Sequence, residues 1–407
     1  MAASSIYTSV VSKLEPAADI PEDARANPHH VKGHHGNIVK FKNPHPSAGG
    51  DLTDSVVSMV GKILWSKLSG NMPTPDISNT KIPVVTPDLP TSRAASSALR
   101  ATWLGHACYF VEFPTGLRVL FDPVFEDRCM PVQWAGPKRY SPPACALTDL
   151  PPVDAVVISH SHYDHLSHTS VQELAKRNPE AQFFVGLGLE KWFRASGIDN
   201  VTEMDWWQDA ELVLQKTKPA AATADTTTPP ATEASAPDTI TARITCLPCQ
   251  HSSGRTATDR DTTLWASWAV KSGSKSVWFG GDTGYRRVPK VPAETDDYGP
   301  SYSALPRCPQ FAQIGERRGP FDLGLIPIGA YAPRWLFSWM HANPYDAVEI
   351  FKETRCNKAM GIHWGTWILT SEEVEEPPRL LREAMKASGL PETGVFDVCA
   401  VGETREF

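Results

Sequence analysis

Val156-Val157-Ile158-Ser159-His160-Ser161-His162-Tyr163-Asp164-His165-Leu166 is the stretch on which the reading of this 407-residue chain turns. An apolar strand, expected over 155–158, runs directly into three histidines and an aspartate. Strand ends are where α/β sheets present ligands to a crevice. On an extended turn His160 and His162 project to the same side, because side chains alternate with period two. Asp164 and His165 follow at the approach to a helix expected over about 170–177, where they face a second metal beside the first. Burying three imidazoles and a carboxylate together without a counter-ion is costly. Metal binding resolves that cost.

Working outward, other strand ends offer more ligands. His251 follows an apolar strand at 244–247. Asp282 follows Val277-Trp278-Phe279-Gly280-Gly281, whose glycines permit close backbone approach. His363 follows Ala359-Met360-Gly361-Ile362. Each alone is compatible with a hydrogen-bonded structural residue. Together with the central motif they make five histidines and two aspartates, enough for two metals with a shared carboxylate. Imidazole-rich, oxygen-supplemented ligation suits zinc, and iron or manganese also fit. Further strands are expected at 107–113, 118–121, 276–279 and 323–328. Short strands alternating with helices predict an α/β or layered α+β domain.

That domain is expected over 101–407, preceded by a largely irregular extension over 1–100. Within the extension, Val56, Val57, Val60, Ile63, Leu64 and Leu68 recur at helical spacing beside Trp65. The helix they predict either packs on the main body or lies at a lipid headgroup boundary, with Lys62 and Lys67. His29, His30, His34 and His35 read as a solvated tail. Two insertions interrupt the domain, at about 216–238 and 289–308. The first is an Ala/Thr/Pro stretch whose composition cannot bury a core. It should therefore be protease-sensitive, and deleting it should leave turnover within a few-fold. Loss of folding or turnover in that deletion would show it to be an integral part of the domain.

Composition excludes several classes. The net charge of −7, with no long basic run, argues against a nucleic-acid partner. No apolar run reaches the roughly 20 residues that span a bilayer, so contact with a membrane is expected to be peripheral. Eight scattered cysteines without an apolar secretory segment do not form a disulfide framework, and Cys246 and Cys249 read as strand-end residues and not redox partners. An intracellular, reducing compartment follows. Glu15, Asp19, Glu22 and Asp23 have the wrong sign for a transit peptide, so the N-terminus gives no reading on mitochondrial association. A homodimer is compatible with the sequence.

H-x-H-x-D-H followed by isolated His, Asp and His at strand ends resembles the metallo-β-lactamase superfamily. That resemblance implies an αββα sandwich with a dinuclear site at one edge of the sheets. Longer segments resemble the N-acylphosphatidylethanolamine-hydrolysing phospholipases D. They are Thr102-Trp103-Leu104-Gly105-His106-Ala107, Gly136-Pro137-Lys138-Arg139, Met204-Asp205-Trp206-Trp207 and Gly281-Asp282-Thr283-Gly284-Tyr285. Pro327-Ile328-Gly329-Ala330-Tyr331-Ala332-Pro333-Arg334-Trp335 and Ile362-His363-Trp364-Gly365-Thr366 complete the set. The match covers nearly everything from Thr102 onward except the insertions.

Carried over residue by residue, the resemblance places His160, His162 and His251 on one zinc. Asp164, His165 and His363 hold the other, and Asp282 bridges them. Asp122 resembles the carboxylate that orients a ligating imidazole, the other reading being a turn before Pro123. Asp282, Asp164 and His341 are the expected catalytic residues. Tyr163, Trp335, Phe337, Met340 and His341 are assigned to the substrate side, with Met340 standing where the family carries a polar residue. His106 reads as structural and His168 as solvent-facing. The implied reaction is hydrolysis of N-acylphosphatidylethanolamine to N-acylethanolamine and phosphatidic acid. In it, two metals activate a shared water for in-line attack on phosphorus. Rival readings are a lactonase, thioesterase or soluble phosphodiesterase on the same scaffold, a redox di-iron protein, and a silent lipid-binding protein.

Overall fold

The computed structural model describes residues 6–49, 61–62, 65–66, 68–70, 72–90, 93, 97–217, 236–292 and 295–407. Two sheets stack face to face. Edge to edge, the first runs Tyr7–Lys13, Asp209–Lys216, Thr239–Leu247, Ser267–Ser272, Lys275–Phe279, Phe321–Pro327, Cys356–Ile362 and Phe396–Asp397. Its first five strands pair antiparallel and the rest parallel. The second runs Thr404–Glu406, Arg100–Gly105, Cys108–Glu112, Arg118–Phe121, Ala155–Val157, Gln182–Gly186 and Val201–Met204. It turns parallel after Arg118–Phe121.

The apolar runs in the sequence are unbroken because both faces of these strands are covered. Tyr109, Val111, Val119, Phe121 and Val157 point into the core between the sheets, where they meet Trp268, Trp278 and Phe279. Their neighbours Phe110, Leu120, Val156 and Phe183 point outward, under the helices His168–Arg177 and Glu190–Ala195, against Val171, Leu174 and Phe193. Helices Gln310–Arg317, Pro344–Glu353 and Glu376–Ala387 cover the other sheet through Phe311, Ile314, Val348, Ile350 and Leu381. This is the expected αββα sandwich. The helix expected from 170 begins two residues earlier, because Ser167 caps it by accepting from the Ser170 N–H.

The first hundred residues hold structure that local periodicity does not announce. Tyr7–Lys13 forms an edge strand on Asp209–Lys216 in register Tyr7 to Lys216. Tyr7 is buried, and its hydroxyl donates to the Pro237 carbonyl at 2.6 Å. Removing a buried aromatic costs about 3–5 kcal/mol. Tyr7→Ala should therefore lower the urea midpoint clearly, and an unchanged midpoint would make this strand a dispensable addition.

His29 and His30 are not a solvated tail. Their Nε2 atoms lie 2.7 and 2.8 Å from the two oxygens of Asp205, and His29 stacks on Trp206. The helix expected at 56–68 and the insertion expected at 216–238 lie mostly outside the described residues. Gly61, Lys62, Trp65, Ser66 and Leu68 are helical, with Trp65 and Leu68 exposed. The second insertion is braced to the domain. Asp297 pairs with Arg286 at 2.8 Å and Arg334 at 2.9 Å, and the Tyr298 hydroxyl donates to Asp346. Among the described residues no helix is long and apolar enough to cross a membrane.

Candidate metal centre

The strands Ala155–Val157, Thr239–Leu247, Lys275–Phe279 and Cys356–Ile362 all end at one edge of the sandwich, and the candidate ligands lie just beyond them. Gly281 makes this convergence possible. Its φ is +57°, and a Cβ there would sit 2.6 Å from the Ser159 side chain. His106, Asp122 and His363 also have positive φ, at 53°, 38° and 62°. Left-handed non-glycine residues each cost about 1–3 kcal/mol and persist where the surroundings over-determine them.

The candidate ligands form two adjoining groups. In the first, His160 Nε2 lies 2.8 Å from His162 Nδ1, and His251 Nε2 lies 3.2 Å from it. The rear nitrogens are held by oxygens. His160 Nδ1 is 2.8 Å from Ser159 Oγ, whose hydroxyl donates to Asp122. His251 Nδ1 donates to the Met340 carbonyl at 2.9 Å. Each rear bond puts the proton behind the ring and leaves the Nε2 lone pair facing inward. Burial holds His160 and His251 well below the ordinary histidine range and pushes His162 down. Three neutral imidazoles converge.

In the second group Asp164 Oδ2 lies 3.4 Å from His165 Nε2 and 3.3 Å from His363 Nε2. His165 Nδ1 is 2.6 Å from Asp122. Asp282 Oδ2 sits between the groups, 3.0 Å from His363, 3.2 Å from His165, 3.6 Å from His251 and 3.9 Å from His160. Burial raises the cost of both carboxylates, yet the neighbouring His165 and His363 hold Asp164 and Asp282 well below the usual range. Burial likewise opposes charge on His363, but Asp282 and Asp164 outweigh it and lift the group to about 9.

This donor set fits divalent cations. His165 Nε2, Asp282 Oδ1 and His341 Nδ1 are buried without a hydrogen bond, and an unsatisfied buried polar atom costs about 1–3 kcal/mol. Several such atoms in one site mark a place for a cation. Nitrogen and carboxylate oxygen donors of this kind suit a first-row divalent ion.

Two neighbours were less legible. His106 is not merely structural, since its Nε2 lies 3.0 Å from Asp164 Oδ2. The rule that found His251 and His363 also applies to it, because it directly follows the strand Arg100–Gly105. Arg255 donates to the carbonyls of Ser161 and Leu166, bracketing the turn that carries the motif.

On the substrate side, His341 Nδ1 lies 3.8 Å from Asp282, and burial lowers His341 to about 3, leaving it neutral. Tyr163 lies under the Arg255 guanidinium at 4.0 Å and donates to the Arg255 carbonyl. Phe337 and Met340 are buried in a small cluster with Met72, Leu336 and Trp339, against which the half-buried Trp335 packs. His168 is exposed, and Cys246 and Cys249 are free and buried.

The chain resembles known proteins over most of its length. The Beta-lactamase superfamily domain matches residues 117–364. The chain is 40% identical over 299 residues to N-acyl-phosphatidylethanolamine-hydrolyzing phospholipase D 1 of Caenorhabditis elegans, covering 72% of this chain and 71% of that one. It is 28% identical over 291 residues to the mitochondrial N-acyl-phosphatidylethanolamine-hydrolyzing phospholipase D of Saccharomyces cerevisiae, covering 71% and 52%. Among solved structures, Igni18, a metallo hydrolase of Ignicoccus hospitalis, is 20% identical over 76% of this chain and 99% of its own, with a TM-score of 0.48.

Proposed function

Because this chain belongs to the β-lactamase superfamily and, within it, to the N-acylphosphatidylethanolamine-hydrolysing phospholipases D, we propose a specific form of that metal-dependent hydrolysis. With a pair of zinc ions held at this site, the protein would hydrolyse N-acylphosphatidylethanolamine at a membrane surface, releasing N-acylethanolamine and phosphatidic acid. The observation that carries the pair is Asp282 Oδ2, placed between the two donor groups within 3.0 Å of His363 and 3.6 Å of His251. His160, His162 and His251 would hold one ion, Asp164, His165 and His363 the other, and Asp282 would serve both.

When bound, such ions supply a nucleophile at neutral pH and neutralise phosphodiester charge. The chain's own residues prepare the site. Asp122 and Ser159 keep the His160 and His165 protons turned outward, and the Met340 carbonyl does the same for His251. His106 Nε2 meets the same Asp164 Oδ2 that faces His165 and His363. His341, neutral and beside Asp282, faces the leaving N-acylethanolamine oxygen. Substrate reaches the centre by the cleft beside His363, between Tyr140, Ala330, Trp367, Leu369 and Val374. Trp335, half-buried against the Met72 cluster, is the apolar residue we assign to the substrate's acyl chains. Peripheral binding is supported by Trp65, Leu68 and Trp134, which are 71%, 85% and 82% exposed and suit the headgroup boundary.

Mass spectrometry of products from N-acylated phospholipid vesicles, with elemental analysis of the same preparation, tests this reading. Vesicle or micellar substrate should be hydrolysed faster than a small soluble phosphodiester. Trp335→Asp should slow only the lipid reaction, with metal content intact. Equal rates on both substrates, unaffected by that variant, would point to a soluble hydrolase instead.

A further inference from the structure

The N-terminal segment, which precedes the matched domain, reaches the metal centre through one side chain. Asn43 Nδ2 donates to the His251 carbonyl at 2.7 Å, and the His251 N–H donates to Asn43 Oδ1 at 3.2 Å. His251 lies beyond the end of the strand Thr239–Leu247 and is fully buried. Its backbone therefore has no ladder partner, and a buried N–H and C=O must each find one. Among the described residues Asn43 serves both. Its amide takes the place of a neighbouring strand for a single residue and fixes the backbone of a candidate ligand.

The contact is built from both sides. Ser47 Oγ donates to Gln250 Oε1 at 2.5 Å, and Gln250 Nε2 donates to the Trp339 carbonyl at 2.7 Å. Upstream of Asn43 the Phe41 N–H donates to the Asp261 carbonyl at 2.7 Å, and downstream the Arg287 N–H donates to the Ser47 carbonyl at 2.8 Å. His29 and His30 lock the hairpin His30–Lys32/Ile38–Phe41 onto Asp205. Asn43 is thus held between two anchored points and is not a loop residue in passing contact. With Met340 holding the imidazole from behind, the backbone and the ring of His251 are fixed by different parts of the chain.

We propose that Asn43 is a positioning residue of the metal centre, setting the orientation of His251 and through it the affinity of the His160, His162 and His251 group for its ion. The N-terminal segment then completes the site. The proposal rests on the metal-centre reading and is independent of the lipid substrate.

The test is metal affinity. In Asn43→Ala, competition with a chelator should show one of two zinc ions bound about 10- to 100-fold more weakly, the usual effect of losing a group behind a ligand. The other ion should be unchanged. In cobalt-loaded protein, the visible band of the weakened site should shift or lose intensity. Asn43→Asp keeps an acceptor for the His251 N–H and lacks the donor, so it should fall between wild type and alanine. It also serves should the alanine variant fail to fold. A variant with both affinities within about twofold of wild type and an unchanged cobalt spectrum would make Asn43 a tether only, even if the melting temperature falls. Wild-type protein that binds no metal would overturn the centre itself and this assignment with it.

Discussion

Asp282→Ala should empty both halves of the metal centre, not one. Asp282 Oδ2 lies within 3.0 to 3.9 Å of nitrogens from His363, His165, His251, His341 and His160. Among the described residues no other carboxylate is paired with nitrogens of both groups: Asp164 pairs with His106, His165 and His363. Without Asp282, only Asp164 in the second group would remain to offset the charge of two divalent ions. Elemental analysis should show well under the wild-type metal content, and turnover should fall by on the order of 10³-fold or more, since the principal charge-stabilising groups of the reaction go with the metal. The fold should survive, because the core between the sheets is built from Trp103, Phe121, Trp268 and Trp278, none of which needs the metal. Full metal content with full activity would refute the shared-carboxylate assignment.

Asp122→Ala should be the most damaging change outside the ligand set. The carboxylate is almost wholly buried and accepts from the Ser159 N–H at 2.7 Å and Ser159 Oγ at 2.6 Å, while His165 Nδ1 lies 2.6 Å away. It holds one ligand directly and a second, His160, through Ser159. Removing one partner of a buried charged pair costs about 3–5 kcal/mol, and loss of a group behind a metal ligand weakens metal affinity about 10- to 100-fold. Urea unfolding should therefore show a large drop in midpoint in both metal-loaded and chelated protein. Asp122→Asn should lose less, because it keeps an acceptor for Ser159. An unchanged midpoint and metal affinity would leave Asp122 as nothing more than the turn before Pro123.

Most of the metal centre was legible in the sequence because its logic is local. A strand buried on both faces must be an unbroken apolar run, as Val156-Val157-Ile158 is, and its carboxyl end must face the crevice. Polar residues that follow it directly, His160, His162, Asp164 and His165, are ligand candidates on that ground alone. His251, Asp282 and His363 follow the same rule at three other strand ends. His106 follows the strand Arg100–Gly105 by the same rule, but it stands alone in the sequence, with no second donor beside it.

What was not legible depends on partners far away in the chain. Tyr7–Lys13 buries little of its own surface, so it leaves a weak period-two trace, and its place is set by backbone pairing with a strand some two hundred residues on. His29 and His30 look solvated until the closing of the sheet brings Asp205 to them. Phe337 and Met340 look like an apolar approach to the site, and packing instead gathers them into a small cluster around Met72. By itself the sequence determined the alternation of buried strands and the donor chemistry at their ends, since both follow from hydrophobic period and residue type over a few positions. Only the tertiary structure decided which donors lie together, which oxygens stand behind His160, His165 and His251, and that Asn43 reaches His251. Those pairings are made across long loops, by closure of two sheets on one core, and no local pattern encodes them.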